Sequence, residues 1–337
     1  MTDLVAAVVG ATGAVGRTMV SVLEERDFPL SGLRLMASSR SAGRMVPTKW
    51  GEVEVEDLGQ ADPTGIDLAL FSAGADRARE FAPEFVRAGA VVVDNSSAFR
   101  MDPETPLITV GVNDSAVSGH KGIIANPNCT TITLVMAAAP LHRLAGLTEV
   151  TVSSYQAVSG SGRRGIDELR RQQGLLEADP ESLALGGWAD PGGDLYVRPI
   201  GFNVLPFAGN ASEDGYTDEE WKLVREPRKI LDLPELMVEP TCVRVPVMAG
   251  HAVSASLFFE RPVTVEEANT ALAGAPGVSL WTDRVPTPLD AAGIDEALVG
   301  RVRPTLGRPG GINLWSVADN LRKGAALNAV QIAELLA

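Results

Sequence analysis

Leu4-Val5-Ala6-Ala7-Val8-Val9-Gly10-Ala11-Thr12-Gly13-Ala14-Val15-Gly16 decides the fold class. Its apolar start reads as a buried strand, a glycine-rich turn follows at once, and Val15 to Arg26 has helical spacing. A backbone that turns this tightly after a strand can approach a pyrophosphate, whose charge then sits at the helix N-terminus. Close packing also explains many glycine turns. The strand-turn-helix context is what favours a dinucleotide here.

The end of the second predicted strand, Leu33 to Ala37, narrows the cofactor. An NAD site usually carries Asp or Glu there for the ribose 2′-hydroxyl, whereas this chain has Ser38-Ser39-Arg40-Ser41-Ala42-Gly43. A guanidinium and short hydroxyl donors suit a 2′-phosphate, so NADP is expected. The alternative is a solvated loop arginine.

Working outward, Asp67 to Phe71, Ala90 to Val93 and Gly122 to Ala125 read as further strands, and Arg77 to Ala88 as a helix. The alternation predicts a parallel sheet covered by helices. Thr130 to Leu144 reads as a helix leading elsewhere. Beyond it, Val150 to Tyr155, Thr241 to Val247 and Ala252 to Glu260 are strand-like, with helices at Gly165 to Gln173 and Asp218 to Ile230. Longer Pro- and Gly-bearing segments separate them, which suits a mixed or antiparallel sheet. Glu181 to Asp194 is expected to be a mobile surface loop, and Asn320 to Ala337 a terminal helix.

The 337 residues suffice for one large or two ordinary domains, and 45% hydrophobic with 21% charged residues is a soluble globular balance. A net charge of -14 argues against a broad nucleic-acid surface. Any small anion must therefore meet a local cluster of basic side chains. The first residues read as a strand rather than a signal peptide, and no apolar run approaches a membrane span. A reducing cytoplasm is the default, so a cysteine matters more as a thiol than as half of a bridge.

There are two cysteines. Cys129, in Asn126-Pro127-Asn128-Cys129-Thr130-Thr131, precedes a helix whose macrodipole favours thiolate. The alternative is an ordinary buried cysteine, which fits Cys242 within its apolar strand better. Of three histidines, His120 and His142 look exposed, which leaves His251 as the best base. Arg100 closes the polar loop Asp94-Asn95-Ser96-Ser97-Ala98-Phe99-Arg100 at the carboxyl end of a predicted strand, where open α/β sheets bind ligands. Arg244 in an apolar strand needs a partner, since an unpaired buried guanidinium is costly.

Taken in order, these motifs resemble the aspartate-semialdehyde dehydrogenase family over nearly the whole chain. The glycine loop, Ser39-Arg40-Ser41, Phe71-Ser72-Ala73-Gly74 and Asp94 to Arg100 carry the likeness. So do Asn126 to Cys129, Tyr155-Gln156-Ala157-Val158-Ser159-Gly160, Arg244-Val245-Pro246 leading to Gly250-His251, and Asp319 to Ala326. The resemblance implies an α/β fold: a Rossmann-type NADP-binding domain, 1–129 plus 320–337, and an α+β catalytic and dimerisation domain, 130–319. The C-terminal helix returns to the first domain.

It further implies Cys129 as nucleophile and His251 as acid/base, with Gln156 placing the substrate and Arg244 holding its α-carboxylate. Arg100 and Lys222 would bind phosphate, and Glu219 would lie near the substrate amino group. Gly10, Thr12, Gly13, Ala14, Val15, Arg40, Ser41, Ser159, Gly160 and Asn320 match cofactor positions; no metal is implied. The implied activity is reversible, NADP-dependent reduction of aspartyl 4-phosphate to aspartate 4-semialdehyde through a cysteine thioester. It would serve lysine/diaminopimelate, methionine, threonine and isoleucine biosynthesis in a homodimer or dimer of dimers. The rival readings are an N-acetylglutamyl-phosphate reductase and a silent NADP-binding protein. Two departures stand out: Val110-Gly111-Val112-Asn113 where the family has Pro-Glu-Val-Asn, and Ala252 where it has Ser.

Overall fold

A computed structural model describes residues 4–336. The apolar opening run is β1 (Leu4–Val9), and α1 (Ala14–Glu25) follows the glycine turn. Next come β2 (Leu30–Ala37), an antiparallel hairpin of β3 (Met45–Thr48) and β4 (Gly51–Asp57), and β5 (Leu68–Phe71). After α2 (Ala75–Arg87) come β6 (Val91–Asp94) and β7 (Ile123–Ala125). They form one sheet in the order β3-β4-β2-β1-β5-β6-β7, parallel apart from the hairpin. The order reverses direction at β1, so ligand-binding loops at the carboxyl ends diverge around the glycine turn. The hairpin adds two strands to those expected from the sequence; in β4, Val53 and Val55 alternate with Glu52, Glu54 and Glu56 at strand period.

Both faces of this sheet are buried. Ala6, Val8, Leu35, Leu70 and Val93 pack with α1 on one face, and Ala7, Val9, Ala69, Phe71 and Val92 with α2 on the other. The C-terminal segment closes the first face. It is a π-turn at Arg322–Ala326 followed by a helix, Leu327–Leu336, rather than one continuous helix. Ion pairs Arg26–Glu334 and Arg322–Glu25 tie it to α1, the latter at 2.8 Å. The first unit comprises the chain through Met136, Arg225–Pro234, and the segment from Leu321.

The second unit comprises Ala137–Val224 and Glu235–Asn320. α3 (Cys129–Ala145) leads into β8 (Leu147–Gln156), α4 (Gly162–Leu176), α5 (Pro180–Leu185) and α6 (Asp218–Ile230). β9 (Met237–Arg244), β10 (His251–Phe259), α7 (Val265–Ala273), β11 (Val278–Trp281), α8 (Pro288–Ala291), β12 (Ala297–Pro304) and β13 (Ile312–Ala318) complete the unit, and the C-terminal helix is α9. The mixed sheet runs β11-β12-β13-β10-β8-β9.

Two expectations are corrected. The segment taken as a surface loop begins as α5, capped by the Asp179 carboxylate on the Ser182 N–H. Its later part is held by Arg171, which donates to Pro191 O and Gly192 O. His120 and His142 are half-buried rather than exposed, because each Nδ1 accepts a backbone N–H, from Gly122 and Leu147 respectively, and this tucks the ring against the chain.

Candidate active site

In the first unit the glycine turn is shaped by contacts that only glycine permits. Gly10 has φ +89°, and a Cβ there would lie 2.3 Å from Ser72 O; a Cβ on Gly16 would lie 2.2 Å from Gly10 O. Close packing thus explains Gly10 and Gly16. Gly13 is different: it is the N-cap of α1, with no side-chain cap and no acidic residue in the first turn. The Gly13 N–H is spent on Gly10 O at 3.0 Å, whereas the N–H groups of Ala14 and Val15, at the start of the helix, receive no side-chain cap. Thr12 Oγ1 donates to Ser41 Oγ at 3.3 Å, linking this turn to the Ser39–Ser41 turn after β2. Arg40 is exposed there, with no carboxylate at the end of the strand.

Cys129 opens α3. Asn128 Oδ1 caps that helix, accepting from the N–H groups of Thr130 at 2.9 Å and Thr131 at 3.3 Å. The loop after β6 is organised by buried Asp94, whose two oxygens accept from Ser96 N–H and Ser96 Oγ. Burial holds this carboxyl above its usual pKa, with the Ser96 bonds opposing. Arg100, at the end of the loop, is 7% exposed and already engaged. Its Nε donates to Asn126 O at 2.9 Å, one terminal nitrogen to Glu226 Oε1 at 3.0 Å, and the other to Asn95 O at 3.0 Å. Three of its five N–H donors are thus spent within the protein. Glu226 was not singled out in the sequence. A charged residue buried to 1% exposure is a signal that only the structure supplies.

In the second unit, β-pairing gathers residues far apart in sequence. His251 on β10 is in register with Gln156 on β8, and Gln156 with Arg244 on β9. Residues in register across a sheet project from the same face, so the three side chains stand in one row at adjacent strand ends. All are buried. His251 Nδ1 accepts from the Ala157 N–H at 3.0 Å, which leaves the proton of the neutral ring on Nε2. Nε2 is buried without a hydrogen-bond partner. Burial, with the Arg244 charge second, pulls this imidazole down to about 3.

Arg244 donates to Ala157 O at 2.8 Å and lies over the Tyr196 ring, 5.9 Å from its centroid. Its Nε is buried with no partner. A cavity lined by Ser161, Tyr196, Phe207, Gly209 and Asn210 reaches this guanidinium. Gly160 is here as well: a Cβ would lie 2.9 Å from His251 Nε2 and 3.0 Å from an Arg244 terminal nitrogen. Gln156 donates to Ser154 Oγ at 3.1 Å. Ser159 and Asn320 bond each other through their side chains, and Asn320 Oδ1 also accepts from Gly250 N–H, bracing the start of β10. Glu219 and Lys222 pair with each other at 2.7 Å on α6. Burial pushes the Cys242 thiol up to about 12, an inert setting.

Residues 5–120 match the family model described as semialdehyde dehydrogenase, NAD binding domain, and residues 138–323 that of the semialdehyde dehydrogenase dimerisation domain. An aspartate-semialdehyde dehydrogenase of Mycolicibacterium smegmatis is 52% identical over 98% of both chains. The chain belongs to the aspartate-semialdehyde dehydrogenase family.

The likeness extends to three dimensions. A crystal structure of aspartate semialdehyde dehydrogenase II complexed with ASA, from Vibrio cholerae, superposes with a TM-score of 0.93 at 42% identity, covering 100% of this chain and 98% of that one. A more distant relative, aspartate semialdehyde dehydrogenase with NADP from Candida albicans, has a TM-score of 0.76 at 25% identity over 99% of this chain and 98% of that one. The chain is thus an oxidoreductase of this family. Its first departure from the family pattern has a local reason. Gly111 has φ +93° and its N–H donates to Asp114 Oδ1 at 2.6 Å, a conformation that strains a side chain. At the second, Ala252 is buried against Ala291, Leu298 and Val317, where a hydroxyl would need a partner.

Proposed function

We propose that this chain reduces L-aspartyl 4-phosphate to L-aspartate 4-semialdehyde, reversibly, with Cys129 as nucleophile and His251 and Arg244 as the groups that hold and polarise the substrate. The observation that carries the reading is the row His251, Gln156, Arg244, in which two buried nitrogens, His251 Nε2 and Arg244 Nε, lack partners within the protein. Buried polar groups of this kind are normally satisfied, so an unmatched pair fits a polar ligand.

Cys129 sulfur attacks the acyl carbon, phosphate departs, and a thioester remains on Cys129. When bound, NADPH supplies the hydride that converts this thioester to the aldehyde level. His251 presents an N–H from Nε2, suited to the oxygen that becomes negative as sulfur adds. As acid/base it moves the proton of that oxygen when sulfur leaves. Arg244 offers its fork to the α-carboxylate, Gln156 orients the acyl group, and Glu219 faces the amino group. Lys222 and the two further N–H groups of Arg100 are directed to phosphate.

The uncapped start of α1, with Gly10, Thr12, Gly13, Ala14 and Val15, would hold the NADP pyrophosphate, and Arg40 with Ser41 the 2′-phosphate. Ser159, Gly160 and Asn320 would serve the nicotinamide end. Such an enzyme supports lysine, methionine, threonine and isoleucine biosynthesis. We place it in the cytoplasm as a homodimer or dimer of dimers. The match to a dimerisation domain supports the assembly, and no helix among the described residues is long and apolar enough to cross a membrane.

The test is trapping with labelled substrate followed by peptide mapping. Label belongs on Cys129 alone, and Cys129→Ala should lose at least about 10³-fold in kcat. Label on Cys242, or full activity in the variant, would remove the assignment.

A further inference from the structure

We propose that Glu226 is a positioning residue for the nucleophile, fixing the backbone immediately before Cys129 from within α6; the inference rests on the reading of Cys129 above. Glu226 divides its carboxylate between two tasks. Oε1 accepts from Arg100 at 3.0 Å, while Oε2 accepts from the Asn128 N–H at 2.7 Å. A carboxylate serving only an arginine commonly presents both oxygens to the fork. Here one is committed to the amide adjoining Cys129.

The consequence is a clamp on three residues. Arg100 Nε holds Asn126 O, Glu226 holds Asn128 N–H, and Pro127 between them has a fixed φ. Asn128 is then held from both sides, since its own side chain caps α3 at Thr130 and Thr131. Cys129 is the next residue, so the direction of its Cα–Cβ bond follows from this clamp. One turn along α6, Lys229 donates to the carbonyls of Arg100 at 2.7 Å, Asp102 at 2.6 Å and Thr105 at 2.8 Å, and so fixes the backbone that carries Arg100. α6 thus controls both ends of the clamp with Glu226 and Lys229, three residues apart on one helix face. Burying a carboxylate near a helix start costs desolvation, and pairing with Arg100 offsets that cost. Stability alone does not require it, because apolar packing fills such a space as well.

The experiment is steady-state kinetics of the full-length enzyme with Glu226→Gln and Glu226→Asp, in the direction of semialdehyde oxidation. In Glu226→Gln one end of the side chain becomes an NH2 group, so a donor meets either Arg100 or the Asn128 N–H. Glu226→Asp keeps the charge for Arg100 but loses the reach to both partners. We expect kcat to fall by about 10–100-fold in each. The KM values for semialdehyde, phosphate and NADP should move by less than about 3-fold. Wild-type kcat in Glu226→Asp overturns the proposal, and that variant decides the matter if Glu226→Gln does not fold. An effect confined to the KM for phosphate also overturns it, because Glu226 would then act by tuning Arg100 toward the anion. Activity surviving in Cys129→Ala would instead undo the underlying assignment of the nucleophile.

Discussion

Two helix starts in the first unit face opposite demands. α1 follows Gly13, which supplies no side-chain cap, and has no acidic residue in its first turn. α3 is preceded by Asn128, whose side chain caps two N–H groups and whose own amide is taken by Glu226. The first leaves the N–H groups of Ala14 and Val15 without a side-chain acceptor, the condition for receiving an anion from solution. The second spends its Thr130 and Thr131 N–H groups on the Asn128 side chain, next to its first residue, Cys129. The same backbone feature, the unpaired N–H groups of a first turn, is left open or taken up according to what the protein supplies around it.

The contrast can be broken most severely at the glycine turn. Gly10→Ala would place a Cβ 2.3 Å from Ser72 O at φ +89°. It should cost about 2–4 kcal/mol of stability and about 100-fold in NADP affinity, measured by thermal unfolding and titration. Unchanged NADP binding would mean that the turn does not approach the cofactor. Arg40→Ala is expected to be milder, weakening NADP by about 10–100-fold while NAD is affected much less, because one charge-assisted contact contributes about 1.5–3 kcal/mol. Both cofactors should be titrated at fixed ionic strength, since an exposed contact is screened. Equal losses for the two would make Arg40 a support of the loop. The smallest effect should come from the other helix: Asn128→Ala removes a cap worth about 1 kcal/mol. It should lower the unfolding temperature and kcat and leave NADP affinity unchanged. A drop in NADP affinity there would erase the distinction between the two starts.

Much of the first unit was legible. The strand, the glycine turn, the helix and the missing carboxylate after β2 are properties of neighbouring residues, and each was readable from period and residue type. The same holds for Cys129 ahead of a helix. The hairpin of β3 and β4 is not legible despite the alternation around Val53 and Val55, because β3 is only four residues long and contains Pro47, and of the hairpin residues only Val55 is buried. β11, β12 and β13 were missed although Ile312–Ala318 is rich in apolar and β-branched residues, since short apolar runs do not declare their type.

Arg100 shows a different limit. In sequence it is a basic residue on a ligand-side loop, and nothing local announces that Glu226, 126 positions away, takes up its guanidinium. His251, Gln156 and Arg244 likewise became candidates through residue type and family likeness, not through any visible proximity. By itself, then, the sequence determined the Rossmann opening, the glycine turn and the helix that begins at Cys129, because backbone conformation and hydrophobic period are set within a few residues. Only the tertiary structure decided that His251, Gln156 and Arg244 stand in one row and that Glu226 and Arg100 share a buried clamp. Strand register and the burial of charge are fixed by cross-chain pairing and loss of water, to which residues distant in sequence contribute together.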